Sequence, residues 1–386
     1  MTDFDFNQII KRRHSNSIKW DSAPEEGILP MWVADMDFKA APCIIEALRK
    51  RVDHGVFGYT HVPEEYYDAI VGWFAGRHNW TIPREMILYT TGVVPAIIFI
   101  IRALTSPGDK VIIQPPVYNA FFHAIPNAGC EILENPLIYS DGTYTMNLDD
   151  LEAKASDPGA KLLLLSNPHN PAGRVWSADE LEQLNNICLR HNVTVISDEI
   201  HCELTFPGHS YTPFASISED CRRNAVVCNS PSKAFNIAGL QIANIVCPDS
   251  RVRDRIDMAI RTNEACNVNP FGVEALIAAY TKGAEWLDAL NAYIYHNYLI
   301  LKEYFAKHLP ELNVIKMEGT YLAWIDCRRL GIDSDSLQER LIRTEKLWIN
   351  SGAMYGGNQF MRINIACPTS VMTEGLERLR RFVSTL

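Results

Sequence analysis

The sequence predicts an α/β fold: a mostly parallel seven-stranded sheet in a large domain, with a smaller α+β domain beside it. Three observations lead there. Apolar runs of strand length alternate with helical stretches between residues 86 and 247. Several of those runs are apolar at successive positions, the pattern of strands covered on both faces by helices. After about residue 285 the rhythm changes to one long helical stretch followed by short strands.

The seven strand candidates, in order, are Met86–Tyr89, Lys110–Gln114, Cys130–Leu133, Lys161–Ser166, Val193–Asp198, Ala225–Asn229 and Ile242–Cys247. Each is bounded by polar or turn-forming residues. Helices are expected from Gly92 to Leu104 and from Ser177 to His191, where Ser177 and Glu180 form a capping-box pattern. Trp286–His308 reads as one long helix, and Leu312–Ile315, Tyr321–Asp326 and Phe360–Ala366 as strands of the second unit. The expected division is a large domain over 46–285 and a small domain built from 1–45 and 286–386. Ligands of a doubly wound sheet collect at the carboxyl ends of its strands.

Composition narrows the function classes. Of 386 residues 47% are apolar and 21% charged, which excludes a disordered or collagen-like chain. The net charge of −10 offers no general positive field for nucleic acid or an anionic membrane surface, so neither is expected as a partner. No apolar run reaches the length of a spanning helix, and Met1–Phe6 lacks a basic and apolar leader, so a cytoplasmic protein is expected. The ten cysteines form no C-x-x-C pair and read as reduced, mostly buried thiols; no metal site is expected.

Three polar motifs stand at successive predicted strand ends: Asn167–Gly173 (NPHNPAG), Ser197–His201 (SDEIH) and Ser230–Asn236 (SPSKAFN). Pro168 and Pro171 cannot continue a ladder, Asp198 ends a very apolar run, and Lys233 lies among serines. Taken singly, each residue has an ordinary reading as a cap, turn or solvated charge. Convergence of strand ends on one crevice would bring Asn170, Asp198 and Lys233 together. Thr91–Val94 lies between a strand and a helix, so the amides of Gly92, Val93 and Val94 can point at an anion such as a phosphate. Ser230 and Ser232 could add hydroxyl donors. Arg362, alone in the strand-like Met361–Asn364, calls for an anionic partner.

The order and spacing of these motifs resemble the fold-type I enzymes dependent on pyridoxal 5′-phosphate (PLP), the aspartate aminotransferase superfamily, from about Pro30 to Pro368. Met31–Phe38 (MWVADMDF), Gly58–Thr60, Asn167–Arg174, Ser197–His201, Ser230–Gln241 and Met361–Pro368 more narrowly resemble the MalY/PatB-type cystathionine β-lyases, or C–S lyases. The resemblance implies a homodimer with its active site at the subunit interface, a large PLP-binding domain and a small domain made of both termini. It assigns Lys233 to the Schiff base with PLP and to removal of the substrate Cα proton. Asp198 pairs with the pyridine nitrogen, Asn170 with the ring hydroxyl oxygen and Tyr118 with the ring face. His201 stands where many relatives have a tyrosine; a buried structural histidine is its other reading. Tyr59 would reach the phosphate of the neighbouring subunit. Gln241 replaces an arginine of the aspartate aminotransferases, a departure that the lyase subgroup shares. Arg362 binds the substrate α-carboxylate, Tyr118 and Asn170 lie against the substrate, and Trp32–Phe38 lines its entrance.

The implied reaction is β-elimination: a thiolate leaves Cβ of a cystathionine- or cysteine-type amino acid, and pyruvate and ammonia follow. Transamination shares the PLP residues and is the alternative. A regulatory role, by direct contact with a transcription activator, is the alternative of another class, because the lyase group includes such a repressor.

Overall fold

The computed structural model describes residues 4–23 and 25–386. The expectation about an export leader falls partly on residues 1–3, outside the described residues. The main sheet contains β1 (Ile87–Thr90), β2 (Lys110–Ile113), β3 (Glu131–Glu134), β4 (Ala160–Ser166), β5 (Thr194–Asp198), β6 (Ala225–Asn229) and β7 (Ala243–Val246). Their spatial order is β1-β7-β6-β5-β4-β2-β3. Four of the six pairings are parallel, and β7 runs antiparallel to both of its neighbours.

The unbroken apolar runs have a direct structural cause. Along β4, Leu163 and Leu165 pack into one core cluster, while Leu162 and Leu164 pack into a second. Successive side chains of a strand point to opposite faces, so a sheet covered on both sides must be apolar at every position. All four leucines are 0–1% exposed, each contributing about 2 kcal/mol of burial. Helices α1 (Val93–Leu104) and α2 (Ala178–Arg190) lie among these layers. The Ser177/Glu180 capping box is present in both directions at the start of α2, satisfying N–H groups that the first turn leaves free.

Because β4, β5 and β6 are parallel neighbours, their carboxyl ends lie on one edge of the sheet. Two successive reversals return β1 to the same direction, so the Thr91–Val94 turn lies on that edge too. So does Gln241, just before the start of antiparallel β7.

A second, antiparallel sheet contains β8 (Asn313–Val314), β9 (Leu322–Asp326), β10 (Asn350–Ser351) and β11 (Phe360–Asn364) in the order β8-β9-β11-β10. The long helix α3 (Ala284–His308) precedes it and starts two residues earlier than the sequence pattern indicates. Leu29–Pro30 pairs in parallel with Leu347–Trp348, which ties the N-terminal segment to this unit.

Candidate active site

One cavity at the carboxyl edge of the main sheet is lined by Gly92, Val93, Val94, Tyr118, Asn170, Asp198, His201, Ser232 and Lys233, together with Ala34, Thr91 and Gln241. Nine of the twelve site residues expected from sequence therefore line a single cavity. Arg362, Ser230 and Tyr59 stand elsewhere.

Asp198 closes the floor. Its side chain is nearly buried and, among the described residues, its one hydrogen-bond donor is the Ile200 N–H, 3.2 Å from Oδ1. Burial pushes its pKa up to about 7, against the Ile200 amide and the Lys233 charge, which pull it down. A carboxylate so poorly solvated fits a cationic N–H in the cavity. Lys233 is driven the other way, down to about 8, by burial and by the Arg362 charge, with Asp35 and Asp198 opposing. Its Nζ donates to the Ala34 carbonyl at 2.8 Å. His201 is buried, its Nδ1 has no hydrogen-bond partner, and burial with the Lys233 and Arg362 charges lowers its pKa to about 3. The ring is neutral at physiological pH. It packs edge-on to Tyr321 and lines the cavity as well.

At the other end of the cavity, α1 begins directly after Gly92. The N–H groups of Val93 and Val94 lie in its first turn, where no intrahelical acceptor exists, and the helix dipole adds positive potential. Ser232 lines the same space. Ser230, expected as a second hydroxyl donor, is not among the residues lining the cavity: its Oγ donates to the Ile242 carbonyl at 2.6 Å and accepts from the Ser232 N–H at 3.0 Å. The antiparallel entry of β7 brings that carbonyl alongside and turns Ser230 into a brace for the Lys233 loop.

Arg362, on β11, does not line the cavity but reaches Asn170, which does. Its Nη1 donates to Asn170 Oδ1 at 3.1 Å, and Nη2 to the Trp32 carbonyl at 3.0 Å. The guanidinium carbon lies 4.6 Å from the Tyr355 ring centroid, and Nε is buried without a partner. Among the described residues no carboxylate pairs with it, so a buried cation is left to be matched by an anionic ligand. The Asn170 amide nitrogen has no acceptor among the described residues and can donate into the cavity. Tyr59 is fully exposed, within a stretch that also exposes Val56 and Phe57.

Three contributors were missed by sequence reasoning. Ala34 enters through its backbone carbonyl, which no side-chain pattern reveals. Asn364 and Asn236 hold the Trp32–Phe38 segment: Asn364 Nδ2 donates to the Val33 and Asp35 carbonyls at 2.5 and 2.6 Å, and Asn236 Nδ2 to those of Met36 and Phe38 at 3.0 and 2.8 Å. The motif Phe235-Asn236 and the strand Met361–Asn364 carried the only available signal.

A buried acid, a lysine and a helix N-terminus thus line one cavity at the carboxyl edge of the sheet. Residues 28–379 match the model of the family aminotransferase class I and II, and the chain belongs to it. It is 43% identical to the cystathionine beta-lyase PatB of Bacillus subtilis over 98% of this chain and 100% of that one. It is 36% identical to the protein MalY of Escherichia coli, over 97% and 98%. The crystal structure of cystalysin from Treponema denticola, which contains a pyridoxal 5′-phosphate cofactor, superposes with a TM-score of 0.96 at 38% identity, covering both chains fully.

Proposed function

We propose that this chain is a PLP-dependent carbon–sulfur lyase that eliminates a thiol from cystathionine- or cysteine-type amino acids, with pyruvate and ammonia as the other products. The observation that carries the reading is that Asp198, Lys233 and the α1 N-terminus line one cavity. That donor set fits PLP: an acid for the ring N–H, an amine for the aldehyde carbon, and amide and hydroxyl donors for the phosphate. Cystathionine beta-lyase PatB, at 43% identity, supports the same assignment.

When bound, PLP supplies the sink for the electron pair left at the substrate Cα. The chain's own residues do the rest. Arg362 holds the α-carboxylate with Asn170 beside it, which fixes the Cα–H bond relative to the amine. Lys233, its pKa already lowered, takes the Cα proton at Nζ. Asp198, buried in the cavity lining, would hold the ring nitrogen in its protonated form. His201 and the Asn170 amide would donate to the ring hydroxyl oxygen, Tyr118 would cover the ring, and Gly92, Val93, Val94, Ser230 and Ser232 would hold the phosphate. Departure of the thiolate from Cβ then balances the electrons that removal of the proton released.

A homodimer belongs to the same proposal, with Tyr59 reaching the partner's phosphate site; the complete exposure of Tyr59 beside Val56 and Phe57 supports it. So do the domain division at 46–285 against both termini, supported by the pairing of Leu29–Pro30 with Leu347–Trp348, and a cytoplasmic setting, supported by ten free cysteines. The test is incubation of the PLP-loaded protein with cystathionine. Keto acid formed without a second substrate is expected; an absolute need for a 2-oxo acid would overturn elimination in favour of transamination.

A further inference from the structure

The segment from Trp32 to Met36 has no regular structure and reaches the cavity at Ala34, and its five consecutive carbonyls all accept from side chains. Trp32 accepts from Arg362 and Asn350, Val33 and Asp35 from Asn364, and Met36 from Asn236 and Arg12. Ala34 takes the lysine itself: Lys233 Nζ at 2.8 Å, with Tyr321 Oη on the same oxygen at 2.9 Å. The Tyr321 side chain is completely buried at the start of β9, so its hydroxyl has a fixed position. A carbonyl oxygen has two lone pairs, and here one donor fills each.

We propose that Tyr321 is a positioning residue for the Lys233 amine, acting through the Ala34 carbonyl that the two share. By occupying one lone pair, the phenol leaves the amine a single acceptor direction and limits how strongly that oxygen draws a proton. The amine, whenever it is not bonded to the cofactor, is held at one point with its nitrogen lone pair available to the substrate Cα proton. The other charged or titratable groups facing it are Arg362, Asp35, Asp198 and His201, and all of them remain in the test below. The inference rests on the reading of Lys233 as the group that moves the Cα proton.

Tyr321→Phe removes the hydroxyl and keeps the ring. In the PLP-loaded enzyme with cystathionine, kcat is expected to fall about tenfold with KM little changed, and the isotope effect of deuterium at Cα is expected to rise. In the cofactor-free chain, the pH midpoint for acylation of Lys233 by acetic anhydride, followed by mass spectrometry, is expected to move upward, because the Ala34 oxygen then accepts from the ammonium alone. An unchanged midpoint or an unchanged isotope effect overturns the proposal, since a packing role for Tyr321 would alter neither. The acylation measurement does not depend on the reaction, so failure of the lyase reading, seen as no elimination by the wild type, is distinguishable from failure of this one.

Discussion

Asn170, Asp198 and Lys233 stand at or just beyond the ends of buried parallel strands, whereas Trp32–Phe38, which reaches the same cavity at Ala34, is an irregular segment held by side chains of other elements. The first region inherits its geometry from the sheet: β4, β5 and β6 hydrogen-bond along their lengths, and their ends cannot move independently. The second has no ladder of its own. Its carbonyls are satisfied by Arg362, Asn364, Asn236 and Lys233, drawn from elements about 200 to 330 positions away. The difference teaches where each kind of damage should appear. Substitutions at strand ends remove chemistry and leave the scaffold standing; substitutions at the braces leave buried carbonyls unpaired.

The largest effect tests the first half of that statement. Lys233→Ala should lower pyruvate formation by about 10⁴-fold while leaving the thermal unfolding temperature of the cofactor-free chain unchanged or raised, because a buried amine is removed. Residual turnover within tenfold of the wild type would break the comparison at its strongest point.

The second half is tested at Asn364, which is buried and donates to two carbonyls of the segment. Asn364→Ala should cost about 3 kcal/mol in urea unfolding. A loss below about 1 kcal/mol would mean that the segment holds its course without this brace.

The smallest effect concerns pH. Asp198 holds its proton up to about 7 in the folded chain, whereas an unfolded aspartate ionises near the ordinary value of about 3.9. Between these values the folded state binds more protons, so stability falls as pH rises through the window. Asp198→Asn does not titrate. The variant should therefore gain roughly 2 kcal/mol on the wild type between pH 5 and pH 6.5, both cofactor-free. A difference of opposite sign would mean that Asp198 is stabilised in its charged form even without a partner in the cavity.

The same contrast governs what could be read from sequence. The strand ends were legible because unbroken apolar runs stop at Pro168, at Asp198 and at Pro231, and because a doubly wound sheet gathers such ends on one edge. The α1 amides were legible from a turn between strand and helix. The braces were not: Arg362 and Asn170 meet across 192 positions, and no local pattern announces that pairing. The role of Ala34 lies in its backbone, which every residue shares. The Ser230–Ile242 hydrogen bond was not legible either, because the sequence does not announce that the strand entering at Ile242 runs antiparallel.

The burial of the cysteines has a consequence for the protein's exposure to its own product. Eight of the ten are buried; Cys43 is half-buried and Cys266 lies on the surface. Burial also pushes Cys188, Cys247 and Cys367 up to about 12, so almost none of their thiolate form exists at neutral pH. Thiol–disulfide exchange requires an accessible thiolate. An enzyme that liberates thiols turnover after turnover, and meets their oxidised forms, therefore offers them one open point of attachment, Cys266, and an otherwise inert interior.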